Sequence, residues 1–287
     1  MATLKEIRIR LKAVKNIQKI TKAMKMVAAA KVRKAQDRII STRPYASKLS
    51  SLMSELVSLN DISNHPLIQE REIKKRLVVL ITSDRGLCGA FNSNIIKHTV
   101  AHLEAIGKET AMITIGKKGY DFFSKRKYNL IKNFPNVFQN LNIQTSTEIV
   151  NYLKDLYLKS EYDFIEVIYN EFKSIIKQNI VTDTFLPFKK NTESDSKSKN
   201  IDFIFEPDSK NILFELIPKE LNIMFWKALL ESNASEQGAR MTAMETASNN
   251  AGDVIKDLNL NYNRARQESI TTELLEIVSG AEALQKG

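Results

Sequence analysis

Cysteine and histidine are scarce in this sequence of 287 residues, which contains one cysteine, Cys88, and three histidines. A single cysteine excludes a disulfide within the chain and fits a protein kept in a reducing compartment. So few thiolate and imidazole ligands also argue against a structural zinc site. We therefore predict that the chain binds no metal.

Long apolar runs are lacking too. No run approaches the roughly 18 residues needed to cross a bilayer, and the chain does not open with the charged, apolar and small-residue pattern of a signal peptide. Hydrophobic residues still make up 43% of the sequence, which is enough for a packed core. The composition predicts a folded, soluble protein of one or two domains, whatever it later docks onto.

Proline is absent from both ends of the chain, since none precedes Pro44 and none follows Pro218. Residues 219–287 could therefore form one helix, which at about 1.5 Å per residue would be roughly 100 Å long. An isolated helix is marginal in water, so this one must bury a stripe against a partner. Its apolar positions alternate in spacing between three and four residues, as in a coiled-coil seam: Ile255, Leu258, Tyr262, Ala265 and Ser269, continued by Ile270, Leu274, Ile277, Ala281 and Leu284.

Residues 3–58 predict a second long helix. Its apolar positions slide away from a strict heptad, so we expect a loose or nearly straight pairing in which the seam drifts around the helix axis. These positions are Leu4, Ile7, Leu11, Val14, Ile17, Ile20, Met24 and Val27. Pro44 is expected to kink this helix or to begin a separate segment.

Charge is distributed unevenly along the chain. The first 50 residues contain 14 lysines and arginines against two acidic residues, and the segment from residue 219 onward is mildly acidic. The two ends are therefore electrostatically suited to lie together, with positive charge left over for an outside partner.

Small side chains dominate the start of the C-terminal helix. Alanine, serine, threonine and glycine make up more than half of residues 232–252. Gly238 and Gly252 should each cost a helix about 1 kcal/mol relative to alanine. We expect the close approach of a partner backbone to offset that cost.

Between the two helices the apolar pattern changes period and predicts an α/β domain. Strands are predicted at 77–81, 111–115, 164–169 and 175–188, with an edge strand at 201–205. Helices are predicted at 94–106, at a short segment ending near residue 125, and from a capping box at 145–148 to residue 159. The predicted organisation is a helix at 1–58, a linker at 59–75, the α/β domain at 76–217 with a flexible loop at 191–200, and a helix at 218–287.

One loop of this domain could bind a phosphate group. The stretch SDRGLCGAFN, residues 83–92, joins a strand to a helix, which is where such sites occur in α/β folds. However, it matches neither GxGxxG nor GK[ST], so the pattern favours a glycine-shaped structural turn. Cys88 has no histidine placed by a known motif, and His98 and His102 share a helix face without an evident third ligand. We predict an ordinary solvated histidine pair and no catalytic group.

The basic N-terminal helix could instead bind nucleic acid or lie on an anionic membrane. Aromatic residues are nearly absent there, Tyr45 being the exception, and no known reading motif occurs. The apolar seam favours a helical partner over both alternatives.

Four blocks of the sequence are similar to a known family, and they occur in the family's order along the whole chain. The most specific is ITTELLEIVSGAEA at 270–283. The others are IQKITKAMKMVAAAKVRKAQ near the start, SDRGLCGAFN in the middle and NASEQGARMTAMETASNN in the small-residue region. On these blocks the chain resembles the gamma-subunit family of F-type ATP synthases, whose members form a central rotor shaft.

The resemblance implies an antiparallel coiled coil of the two terminal helices, with a Rossmann-like α/β domain at its foot. It implies a non-catalytic subunit without a cofactor, which transmits torque between the membrane c-ring and the catalytic beta subunits during proton-driven ATP synthesis. The implied partners are the alpha and beta subunits of the surrounding ring, the epsilon subunit and the c-ring. Nucleic acid is not expected, and the membrane is reached only through partner subunits.

Matching positions imply three sets of contact residues. Arg266, Gln267 and Thr271 resemble a polar catch for a beta subunit. Contacts with an acidic lever loop of a beta subunit are expected at Met24, Arg240, Lys22, Lys25 and Arg33. An apical bearing, in which an apolar collar surrounds the helix tip, is expected at Leu274, Ile277, Val278 and Leu284.

Two other functions remain open on the residues alone. One is a nucleotide-dependent α/β enzyme that dimerises through its long helices, and the other is a basic coiled-coil protein acting on nucleic acid. Both predict activity or binding from the purified chain, whereas the rotor predicts neither. Because no transit peptide precedes Met1, the expected location is the cytoplasmic face of a bacterial inner membrane.

Overall fold

A computed structural model of the chain describes residues 3–59, 65–188 and 208–285. The described elements begin with a long helix, continue through alternating strands and shorter helices, and end with a second long helix. In chain order they are α1 (Leu4–Leu59), β1 (Arg76–Ile81), α2 (Phe91–Ile106), β2 (Ala111–Ile115), α3 (Lys117–Phe123), β3 (Leu130–Phe134), α4 (Ile143–Leu158), β4 (Phe164–Phe172), β5 (Gln178–Leu186) and α5 (Ser209–Gln285).

The chain divides into two compact units. One, the helical unit, comprises Met1–Val27 and Met241–Gly287, and the other, the α/β unit, comprises Ala28–Arg240. In the helical unit Lys25 Nζ contacts Glu245 Oε1, and Gln18 Nε2 donates to Ser248 O at 3.4 Å. Earlier residues of α1 thus meet later residues of α5, so the two helices run antiparallel, as expected.

The seam that α1 buries in the helical unit keeps a strict heptad spacing. The heptad positions Leu4, Ile7, Leu11, Val14, Gln18, Thr21 and Lys25 are buried or half-buried, and Met24, which was predicted in the seam, is half-buried beside them. The prediction of a drifting seam was therefore wrong, and so was the placement of Ile17, Ile20 and Val27 in it, because these three side chains are 52–59% exposed. The regular 3.5-residue repeat of a helix pair continues through polar side chains where the apolar pattern leaves it.

On α5 the predicted seam is confirmed in its first half only. Leu258 is buried, and Ile255, Tyr262, Ala265 and Ser269 are partly buried. From residue 270 to residue 281 every side chain is exposed. Beyond Ser269 the helix therefore presents its apolar positions to the surroundings and not to α1.

The α/β unit contains a five-stranded sheet in the order β3-β2-β1-β4-β5. Strands β1 to β4 are parallel, with Val78 opposite both Met112 and Glu166, and β5 is antiparallel to β4. Alternate residues of β1 face opposite sides of the sheet. Leu77, Val79 and Ile81 pack towards α4 and the long helices, whereas Val78 and Leu80 pack towards α2 and α3.

This arrangement confirms the predicted α/β fold class with two long terminal helices. The strand at 111–115 is confirmed without change, and those at 77–81 and 164–169 are extended by one and three residues. Strand β3 was not predicted, because an edge strand that carries Lys132 and Asn133 gives little apolar signal. The predicted strand 201–205 and the loop 191–200 lie outside the described residues.

Several predicted boundaries were wrong. Helix α4 begins at Ile143 and is capped by Asn142, whose side chain accepts from Thr145 N, so the capping box at 145–148 does not open it. Strand β5 begins three residues late because Ile175 and Ile176 lie in the turn before it. Pro44 and Pro218 both lie inside helices, so α1 continues to Leu59 and α5 already begins at Ser209.

Candidate functional site

Exposed basic residues follow α1 in the helical unit as a row of their own. Arg8, Lys12, Lys15, Lys19 and Lys22 are spaced alternately by four and three residues, and all five are exposed. This spacing keeps them on one side of the helix, beside the buried seam. The row forms a continuous positive surface suited to an acidic partner.

The predicted lever-loop residues of α1 differ in how available they are. Lys22 is exposed and Met24 is half-buried. Lys25 is bound within the chain, because its ammonium group contacts Glu245. Arg33, in the α/β unit, is exposed.

A polar groove lies where Gly252 of α5 meets α1. A Cβ atom at Gly252 would lie 3.1 Å from Gln18 Nε2, so the glycine accommodates a side chain and not the partner backbone that the sequence led us to expect. The groove has a volume of about 820 Å³ and is lined on one side by Lys19, Lys22 and Lys25. The helix pair is thus held here by polar contacts.

Residues 270–281 of α5 are all exposed, and their apolar side chains have no cover from the described residues. Leu274, Ile277 and Val278 are 57%, 67% and 54% exposed, as predicted for a tip that outlasts its partner helix. The side chain of Leu284 lies outside the described residues. Arg266, Gln267 and Thr271 are exposed as well, and the Thr271 hydroxyl donates to Gln267 O at 2.9 Å.

Arg240 is buried within the α/β unit, unlike the other predicted contact residues. Its Nη1 atom contacts Glu236 Oε1 at 2.7 Å, and its Nη2 atom donates to Arg85 O at 3.2 Å and to Gly86 O at 3.1 Å. Burial raises the pKa of Glu236, and the Arg240 guanidinium opposes part of that rise. Sequence reasoning missed Glu236, although its spacing of four residues from Arg240 is a detectable ion-pair signal.

The loop at 83–92 is held by polar contacts within it and by Asp84 Oδ1, which accepts from Lys117 N and Asn136 N. Ser83 N donates to Asn92 Oδ1 at 3.1 Å, and Asn92 Nδ2 donates to Ser83 Oγ at 2.7 Å. Leu87 and Gly89 adopt positive φ angles of 63° and 58°. The geometry is that of the structural turn favoured by the sequence, and its two carbonyls at Arg85 and Gly86 are held by Arg240.

Cys88, His98 and His102 of this unit also have bonding partners. Burial raises the pKa of the Cys88 thiol, which disfavours a thiolate nucleophile. His102 Nε2 lies 2.8 Å from Glu166 Oε2, and His98 Nε2 lies 3.1 Å from Thr182 Oγ1. The predicted solvated pair is therefore confirmed for His98, which is exposed, and wrong for His102, which is half-buried against Glu166 of the sheet.

No group of three or more histidine, cysteine, aspartate or glutamate side chains in 3–59, 65–188 and 208–285 is arranged to hold a metal ion. No helix within those ranges is long and apolar enough to span a membrane.

Glu231 is a buried carboxylate of α5 near like charges. Its residue is 8% exposed, its Oε2 atom has no bond partner among the described residues, and Lys227 reaches it only at 3.8 Å. Burial, together with Glu171 and Asp183, raises the pKa of Glu231. The carboxylate form is therefore disfavoured in the folded chain.

We expect Glu231→Gln to stabilise the chain at pH 8 by about 1 kcal/mol, since it removes a buried charge. A raised pKa means that the contribution of Glu231 to stability is most favourable below the pKa of the unfolded glutamate and is lost as the pH rises through the folded value. The advantage of the variant should thus grow from pH 4.5 to pH 8 in urea unfolding. Glu276→Gln, at an exposed position, is the control, and a variant less stable than wild type at pH 8 would contradict the expectation.

Comparisons with known proteins agree with one another. A family model described as ATP synthase matches residues 3–284. The ATP synthase gamma chain of Chloroherpeton thalassium is 48% identical, covering 100% of this chain and 99% of that protein. That of Prosthecochloris aestuarii is 50% identical, covering 99% of both.

Solved structures are similar as well. A chain from the central stalk and c-ring structure of the Tetrahymena thermophila mitochondrial ATP synthase is 28% identical with a TM-score of 0.62, covering 80% of this chain and 99% of that one. A chain of the Euglena gracilis mitochondrial ATP synthase has a TM-score of 0.70 at 22% identity, covering 99% of this chain and 95% of that one, and this likeness concerns the fold.

Proposed function

This chain belongs to the ATP synthase gamma chain family, and from that premise we propose that it is the central-stalk rotor subunit of an F-type ATP synthase. It transmits torque between the membrane c-ring and the catalytic beta subunits and performs no catalysis itself. Its partners are the alpha and beta subunits, the epsilon subunit and the c-ring. Family membership favours this function over the nucleotide-dependent enzyme and the nucleic-acid-binding protein.

The exposed apolar end of α5 carries the mechanical part of the proposal. Leu274, Ile277 and Val278 are more than half exposed, and a soluble protein rarely leaves such a surface uncovered unless a partner covers it. An apolar collar formed by surrounding subunits would cover the tip. Such a contact is non-directional, so the tip can turn within it while remaining shielded from water.

Among the predicted lever-loop residues, those on the surface make the direct contacts with the beta subunit. Lys22 and Arg33 are exposed and can meet an acidic loop directly, and Met24 can add an apolar contact beside Lys22. The ammonium group of Lys25 already contacts Glu245, so only part of its charge is available to a partner. Arg240 acts from within the chain, because Glu236 and two carbonyls already hold its guanidinium.

The cellular location follows from the partners. We place the chain on the cytoplasmic face of a bacterial inner membrane, as a peripheral protein held there by the c-ring. Support comes from full-length relatives such as that of Chloroherpeton thalassium.

The proposal is tested by assembly. A tagged form of this chain is expressed in its native host and purified from detergent-solubilised membranes, and the co-purifying subunits are identified by mass spectrometry. Alpha, beta and epsilon subunits and the c-ring are expected, with ATP hydrolysis present in the complex and absent from the chain alone. If the isolated chain turned over nucleotide or bound nucleic acid without these partners, the result would contradict the rotor function.

We expect Arg266→Ala/Gln267→Ala to reduce ATP synthesis several-fold in reconstituted vesicles. Both side chains are exposed, so unfolding free energy should change by no more than about 0.5 kcal/mol, and the loss would reflect a missing subunit contact. Asn263→Ala, on the same exposed stretch of α5, is the matched control. Full synthesis in the double variant would remove these residues from the proposed catch.

A further inference from the structure

The sheet holds α5 along residues 235–240, at the edge where the parallel strands end. This segment lies within the α/β unit, and the same helix continues from there to Gln285. Two connections of the sheet reach it: the loop at 83–92 that follows β1, and the turn at 173–177 that joins β4 to β5. Each makes contacts of a different kind.

The first contact is polar and directional. Arg240 donates to the carbonyls of Arg85 and Gly86 at 3.2 and 3.1 Å, and its other terminal nitrogen contacts Glu236 at 2.7 Å. The Arg240 and Glu236 side chains are only 10% and 5% exposed. A guanidinium fixed at three acceptors in a dry environment holds the helix in one rotational setting.

The second contact is a close steric fit. A Cβ atom at Gly238 would lie 3.3 Å from Ile175 O and 3.5 Å from Ile175 Cα, both backbone atoms. Nearby, the buried hydroxyl of Ser235 donates to Asn170 O at 3.2 Å. The close approach of a backbone predicted for Gly238 is therefore confirmed, and that backbone belongs to the turn between β4 and β5 and not to a helix.

The two contacts grip α5 from different sides. Residues 238 and 240 are separated by about 200° around a helix of 3.6 residues per turn. The turn at Ile175 therefore faces one side of α5 while the loop at 83–92 faces nearly the opposite side. Resistance on two opposed sides opposes rotation of the helix relative to the sheet in both senses.

We propose that Glu236, Gly238 and Arg240 are positioning residues of a torque clamp, which locks the sheet to α5 so that rotation of the sheet becomes rotation of the helix. This inference rests on the proposed rotor function. Apolar packing alone resists separation but is non-directional, whereas hydrogen bonds weaken steeply with misalignment. The clamp therefore adds directional resistance to twisting to the close packing of the surrounding core.

The clamp is tested in the assembled complex by torsional stiffness. The alpha and beta ring is fixed to a surface, rotation is stalled with a non-hydrolysable ATP analogue, and a bead is attached at Lys108→Cys in the α/β unit. Cys88 is 2% exposed, so labelling at the introduced cysteine is selective. The variance of the bead angle measures twisting between the sheet and the held helix.

We expect the angular variance to rise several-fold in Arg240→Gln and in Gly238→Val, which disturb opposite sides of α5. Glu236→Gln keeps an acceptor oxygen for Arg240 and should rescue most of the stiffness. Lys219→Gln removes an exposed ion pair on the same helix and should leave the variance at the wild-type value. If these residues had a purely structural role, the variants would lower the melting temperature, but their angular variances would not follow this ranking.

The possible results distinguish failure of the clamp from failure of the rotor function. If Arg240→Gln does not assemble, Gly238→Val alone carries the test, because it leaves the ion pair in place. Wild-type variance in every assembled clamp variant overturns the clamp while leaving the rotor function standing. A wild-type chain that fails to enter a rotating complex overturns the rotor function itself, before any variant is compared.

Discussion

Gly116→Ala is expected to destabilise the α/β unit by about 4 kcal/mol or more, a loss at the upper end of what single substitutions cause. Gly116 joins β2 to α3 with φ 91° and ψ 155°, a region of backbone conformation that is essentially reserved for glycine. An added Cβ would lie 2.1 Å from Thr82 O and 2.8 Å from Thr82 C. The clash is with backbone, so no side chain can move aside to relieve it.

The position matters because it closes the sheet at its carboxyl edge. Thr82 N donates to Ile115 O at 2.8 Å, and Gly116 N donates to Phe134 O at 2.9 Å. Displacing Thr82 to admit a methyl group would therefore break the pairing of β1 with β2. The same shift would disturb the loop at 83–92, which Arg240 holds.

Gly107→Ala is the matched control, since Gly107 also has a positive φ of 112° but has no atom within 4 Å of the added Cβ. It should show backbone strain alone, about 1–3 kcal/mol. The comparison is made by urea unfolding followed by circular dichroism. Equal losses for the two variants would mean that the contact with Thr82 relaxes, and the expectation for Gly116 would fail.

The fold class was predictable because its signals are local and strong. The unbroken apolar run of β1 predicts a strand, and the long segment of α5 that follows Pro218 without a proline predicts a helix, each from local sequence alone. Strand β3 could not be predicted in this way. Its pairing with β2 decides its structure, and its two exposed side chains, Ile131 and Lys132, are neighbours, so no apolar alternation marks the strand.

The seam of α1 illustrates a second limit. Ile17 and Ile20 are more hydrophobic than Gln18 and Thr21, yet the latter two are buried or half-buried and the isoleucines are exposed. Burial here follows the geometry of the partner helix, and that partner contributes the small residues Ser248 and Gly252. The apolar pattern of α1 alone does not contain the shape of the α5 surface that packs against it.

The candidate contact residues divide along the same line. Exposure at Leu274 and Ile277 could be inferred from the length of α5 against that of α1, which is information in the sequence. The burial of Arg240 could not, because its acceptors at Arg85 and Gly86 are more than 150 residues away in the chain. Only the tertiary fold distinguishes this arginine from the exposed Arg266 of the same helix.

Arg240→Leu is expected to cost the folded chain about 3–5 kcal/mol, because it leaves the carboxylate of Glu236 buried and without its counter-ion. Glu236 is 4% exposed, and the Arg85 and Gly86 carbonyls would lose their donor as well. Glu236→Leu/Arg240→Leu should cost less than the sum of the single variants, with a coupling of about 0.5–3 kcal/mol. Lys219→Leu, from an exposed pair with Glu215, should cost less than about 1 kcal/mol.

The pH dependence of Arg240→Leu separates the lost charge partner from the lost carbonyl contacts. Burial already raises the pKa of Glu236, and removing the guanidinium that opposes this rise should raise it further. A raised folded-state pKa favours folding below the unfolded pKa, and that contribution is lost as the pH rises through the folded value. The deficit relative to wild type should therefore be smaller at pH 4.5 than at pH 8, whereas a deficit caused by the Arg85 and Gly86 carbonyls would be the same at both. Urea unfolding at the two pH values measures this, and a pH-independent deficit would mean that Arg240 stabilises the chain through the loop and not through Glu236.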